Sequence, residues 1–77
     1  MSSHSVMQLN NIMQARHGAS FAAHMRYEEK RSGPENLTVW TMTCFIDDMK
    51  YGEASATSKK AAREAAAQKT IEMMEAE

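Results

Sequence analysis

Apolar positions along the chain change their period twice, and the changes mark out five elements. Val6, Leu9, Ile12 and Met13 recur at helical spacing, so they predict a first helix with one buried stripe, ending near His17. Ser5, or Ser3 before it, can cap that helix, and Gly18 is its stop. Met7 and Asn11 lie four residues apart and off the stripe, so both project from one face. Between residues 20 and 31 the pattern is weaker; Phe21, Met25 and Tyr27 suggest a first strand. A loop composition follows at 31–36, with Gly33-Pro34-Glu35-Asn36 at its centre. Residues 37–46 form the clearest strand: Trp40, Met42, Cys44 and Ile46 alternate with Thr41, Thr43 and Phe45. Asp47-Asp48 reads as a short turn, returning the chain antiparallel over about residues 49–55.

After Thr57 the character changes. Ser58 is a good N-cap, and residues 59 to about 75 are loaded with alanine, the strongest helix former. Alanines at 62, 65 and 66 let this helix lie close to a sheet, while Ile71, Met73 and Met74 supply bulk. The order is α-β-β-β-α. It predicts an α+β domain: a three-stranded antiparallel sheet with two helices packed on one face.

Length fits one domain over residues 1–77. A domain this small buries only roughly 60% of the surface its unfolded chain exposes. A cleft walled on several sides is not expected, so an outer face is the place to look for function. Net charge is −1, which alone argues against a polyanionic partner. Screening, however, confines exposed charges to a range of about 8–10 Å, so their distribution matters more than their sum. Four of the nine basic residues, Lys59, Lys60, Arg63 and Lys69, fall within one stretch whose only acid is Glu64. Acids collect instead at the C-terminal end and around Asp47-Asp48.

The cluster sits at the start of the last helix. A helix N-terminus carries about half a positive charge and free backbone N–H groups, which favour phosphate. Lysine placed there opposes the dipole, so stability does not account for it. A solvated helix end is the bland alternative.

Other constellations carry less. His4, His17 and His24 with Cys44 lack the close paired spacings of zinc sites, so no metal and no cofactor is expected. Cys44 falls on the inward face of its strand and reads as a buried structural thiol. His17 supports the end of the first helix. No nucleophile–base pair stands out, and the chain reads as non-catalytic. A single cysteine suits a reducing compartment, and no apolar run is long enough to span a membrane. The expected location is intracellular, in cytoplasm, nucleus or both.

With the element order in place, residues 52–67 closely resemble the C-terminal signature of the double-stranded RNA-binding domain. In that family a loop containing glycine and serine leads into a lysine-rich helix start, KKxAK, and then an alanine run. Here the start reads Lys59-Lys60-Ala61-Ala62-Arg63, with arginine as the third cation. Gly33-Pro34 resembles the family's GPxH loop, Asn36 replacing the histidine, and residues 7–12 resemble its first helix, Asn11 replacing a frequent glutamate or glutamine. Three contact regions are implied by this resemblance. Met7 and Asn11 enter one minor groove of an RNA duplex. Gly33, Pro34, Glu35 and Asn36 enter the next, and Lys59, Lys60 and Arg63 straddle the phosphates between. The implied partner is double-stranded RNA, read by shape. A competing reading is a dimerisation or docking module within an RNA-processing pathway, binding a second copy or another protein through its methionines and an exposed sheet edge.

Overall fold

The computed structural model describes residues 4–77. Its elements are α1 (Ser5–His17), β1 (Met25–Ser32), β2 (Val39–Ile46), β3 (Met49–Ala56) and α2 (Lys59–Glu75). The strands form one antiparallel sheet in the order β1-β2-β3. The α-β-β-β-α architecture is therefore as expected. Among the described residues, no helix is long and apolar enough to cross a membrane.

Leu9 and Met13 of α1 are fully buried, against Cys44 and Ile46 of β2 and Ala67, Ile71 and Met74 of α2. A second cluster, Met42 with Ala62 and Ala66, lies nearer the start of α2 and packs against Trp40. Tyr27 touches both clusters. Trp40 is accordingly a packing residue, as its alternation predicts. In α2 the fully buried alanines are 62, 66 and 67, and Met73 is exposed while Met74 is buried. The inward stripe is thus rotated slightly from the expected one, and Ala65 lies at its margin.

Three boundaries differ from expectation. The helix begins at Ser5 itself, which is not its cap: the Ser5 hydroxyl donates to Gln68 Oε1 of α2 at 3.0 Å. The other candidate cap, Ser3, lies outside the described residues. β1 starts only at Met25, because residues Gly18–Ala23 form a 3-10 turn after Gly18 breaks α1 with φ 65°. Phe21 packs on the core from that turn rather than from a strand. β2 starts at Val39, since Glu35–Leu37 is another 3-10 turn and leaves Leu37 exposed.

Asp47 and Asp48 both have positive φ, 52° and 66°, the geometry that lets a two-residue turn follow the right-handed twist of its strands. Beyond the turn the register slips. Phe45 faces Lys50 but Thr43 faces Glu53, so Tyr51 and Gly52 together oppose Cys44. This bulge turns both residues toward the helices. At Gly52 the backbone of α2 comes close: the Gly52 N–H donates to Thr70 Oγ1 at 3.0 Å, and that hydroxyl donates to the Ala66 carbonyl at 2.9 Å. Ser58 caps α2 as expected, accepting from the Ala61 N–H at 3.2 Å, a contact worth about 1 kcal/mol.

The Tyr27 hydroxyl is buried and has no hydrogen-bond partner among the described residues. Burial, and secondarily the neighbouring Cys44, push its pKa far above the ordinary 10.0, against the pull of Arg63. Removing a buried hydroxyl with no partner removes a desolvation cost, so Tyr27→Phe is expected to raise stability by about 1 kcal/mol at pH 7, read by urea unfolding. The phenol is held protonated more tightly when folded than when unfolded. Its stabilisation is complete below the unfolded value of 10.0 and is lost as pH climbs toward the folded one. The variant should therefore also lose less stability above about pH 10.

Candidate nucleic-acid interface

Strand register shows which groups share an end of the molecule. Trp40 faces Arg31 on one side and Ala56 on the other. The β1–β2 connection, residues 33–38, and the start of α2 therefore lie at the same end. The β2–β3 turn lies at the opposite one.

Along β1, Tyr27, Glu29 and Arg31 pair with the inward residues Cys44, Met42 and Trp40. They lie on the helix side of the sheet. Two strand residues rise about 6.6 Å and four helix residues about 6.0 Å, so the row on β1 matches Arg63 and Lys59 on α2. The Arg63 guanidinium lies 5.5 Å from the centre of the Tyr27 ring. Lys59 Nζ stands 5.0 Å from the centre of the Trp40 ring and 3.1 Å from Glu29 Oε1. Both side chains of this ion pair are about half exposed. Sequence reasoning missed Glu29: the contact joins residues thirty apart, and only the β1–β2 register brings them together.

Helix α1 is tied to the same part of α2. The Val6 N–H, a free donor in the first turn, donates to Glu64 Oε1 at 3.1 Å, and Ser5 adds its bond to Gln68 one turn further on. A negative carboxylate at a helix N-terminus is electrostatically favourable. An open groove between the helices is lined by Val6, Lys59, Lys60, Arg63 and Glu64. The start of α1 and the three expected cations are thus brought together. Met7 and Asn11 are exposed on α1.

The four residues Gly33, Pro34, Glu35 and Asn36 are all exposed. Gly33 has φ 91°, and a Cβ there would sit 2.5 Å from the Leu37 carbonyl oxygen, so a side chain is excluded twice over. The Leu37 N–H donates to the Pro34 carbonyl at 2.9 Å, and the Thr38 hydroxyl donates to the Glu35 carbonyl at 3.2 Å. These two bonds hold the loop from within.

Cys44 is fully buried. Burial raises its pKa, an effect the Thr70 hydroxyl only partly opposes, so it is a packing thiol rather than a reactive thiolate.

Three of the nine basic side chains, Lys59, Lys60 and Arg63, thus line one open groove between the helices of a two-helix, three-stranded domain. The family model for the double-stranded RNA binding motif matches residues 5–74. The chain belongs to that family, and its general function is the binding of double-stranded RNA. Among curated proteins none matches the sequence.

Proposed function

We propose that the domain recognises an A-form duplex by shape. Met7 and Asn11 enter one minor groove, Gly33, Pro34, Glu35 and Asn36 enter the next, and Lys59, Lys60 and Arg63 bridge the phosphates between. A-form RNA offers a wide, shallow minor groove lined by 2′-hydroxyls, and its deep major groove is too narrow for side chains to read. Selection for RNA then depends on probes held at a fixed separation. The Val6–Glu64 and Ser5–Gln68 bonds carry this reading, because they fasten the α1 probe to the helix that bears the cations.

The test is a titration with a blunt RNA duplex of about 20 base pairs and a matching DNA duplex at two salt concentrations. The expected result is salt-sensitive binding that prefers RNA. Equal affinity for both duplexes sinks the shape reading. Absent binding with a stable dimer in sedimentation favours the docking module instead.

Glu29 supplies a further expectation. A phosphate that recruits Lys59 competes with a carboxylate already 3.1 Å away. Exposed pairs of this kind contribute about 0.2–1 kcal/mol. Glu29→Gln should then tighten RNA binding by up to about fivefold in the same titration, at a cost of no more than about 1 kcal/mol in stability.

A further inference from the structure

The end of the domain opposite the cations holds a second cluster of chemically active side chains. His17 closes α1, His24 precedes β1, and Asp47 opens the β2–β3 turn. The two imidazoles stack with centroids 3.9 Å apart and planes 14° from parallel. His24 Nδ1 lies 2.7 Å from Asp47 Oδ1. One nitrogen from each ring and a carboxylate oxygen all fall within 4.8 Å of one another.

We propose that His17, His24 and Asp47 form a site for a borderline divalent transition metal, of which zinc is the type. Two imidazoles and one carboxylate suit zinc, cobalt or nickel, whereas calcium and magnesium prefer an all-oxygen shell. A His–Asp hydrogen bond alone would account for His24 and Asp47. It leaves unexplained why a second imidazole from another element is stacked against the first.

The backbones that carry the ligands are already fixed. The Asp47 N–H donates to the His24 carbonyl at 2.8 Å, and the His24 N–H donates to the Phe21 carbonyl at 2.9 Å. The His17 carbonyl accepts from the Ser20 hydroxyl at 3.0 Å. Tetrahedral ligands at 2.0–2.1 Å from zinc lie about 3.3 Å apart, so capture of the ion needs only side-chain movement. Parallel stacking holds the ring lone pairs side by side, and one imidazole must turn to converge on the metal. Both histidines are only partly buried, which leaves that turn open. Asp48 is next in sequence, but Arg26 Nε stands 3.8 Å from its carboxylate. The fourth position is left to water, as in open three-ligand sites. The ion would staple the end of α1, the start of β1 and the β2–β3 turn, whether or not RNA is bound.

The experiment titrates the full chain with Zn²⁺ by calorimetry and follows thermal unfolding. One ion should bind per chain, raising the unfolding midpoint by about 15 °C at a concentration 100 times its Kd. His17→Ala and His24→Ala should each weaken binding by about tenfold or more, and so should Asp47→Asn, which tolerates the left-handed turn. His4→Ala should leave it unchanged. Co²⁺ should give the d–d bands of a nitrogen–oxygen site without a thiolate charge-transfer band. If a histidine variant loses the far-UV spectrum of the parent, Asp47→Asn and the Co²⁺ spectrum decide. No heat up to millimolar Zn²⁺, or binding that survives replacement of both histidines, overturns the proposal.

Discussion

Gly52→Ala is expected to leave the domain largely unfolded at 25 °C. A Cβ at this position would collide with the Ala66 carbonyl oxygen and would stand 2.6 Å from both the Thr70 nitrogen and Oγ1. Two of these three atoms are helix backbone and cannot swing aside. Relief requires α2 to lift from the bulge, which also opens the bonds from Gly52 to Thr70 and from Thr70 to Ala66. Overpacking alone costs about 1–3 kcal/mol, and leaving a buried N–H without its acceptor adds about 1–3 kcal/mol. A core of this size supplies only about 3–5 kcal/mol, so the loss is comparable with the whole. Far-UV circular dichroism during thermal unfolding measures it. Adding Thr70→Ala removes the hydroxyl from the clash but not the Ala66 carbonyl, so the double variant should stay unfolded. A midpoint within about 5 °C of the parent would mean that the helix does not press on the bulge.

The elements that could be read from sequence were those whose signals are local. Ser58 caps α2 through a residue three positions away. Trp40, Met42, Cys44 and Ile46 alternate along β2, and the last three are buried as that period demands. Asp47-Asp48 announces its own turn. What could not be read depends on register. The bulge appears only when β2 and β3 are paired, and from it follow the inward positions of both Tyr51 and Gly52. The start of β1 was obscured because Ala19, Ala22 and Ala23 carry little pattern of either period, and a 3-10 turn fills the gap. Lys59, Lys60 and Arg63 could be singled out from their run along the chain, but their anchors could not. Glu29, Tyr27 and Glu64 come from other elements. The same applies to His17, His24 and Asp47, whose wide sequence spacing conceals a shared corner.

Replacing Lys59, Lys60 and Arg63 together by alanine should weaken RNA binding by about 100-fold while the domain stays folded. All three residues are exposed, and alanine is the best helix former. Cations in the first turn of a helix oppose its dipole, so their loss relieves a few tenths of a kcal/mol. It also removes the Lys59–Glu29 pair and the contacts with Trp40 and Tyr27, for a net cost of about 1–2 kcal/mol. Urea unfolding of the variant checks that it remains folded under the conditions of the titration. Salt dependence gives the sharper readout. Three phosphates neutralised correspond to a slope of log K on log salt of roughly −2 to −3, and the triple variant should lose that contribution. Lys69→Ala supplies the control. Lys69 lies on α2 but lines a shallow groove with Tyr51, Gly52 and Met73, away from the start of the helix. Removing its charge changes the net charge of the domain yet should leave the slope intact. If Lys69→Ala flattened the slope as much as the triple variant does, binding would track overall charge and not a clamp at the helix start. The observed placement of Lys59 and Arg63 over Trp40 and Tyr27 favours the localised outcome, because aromatic faces hold both cations beside the groove that opens toward α1.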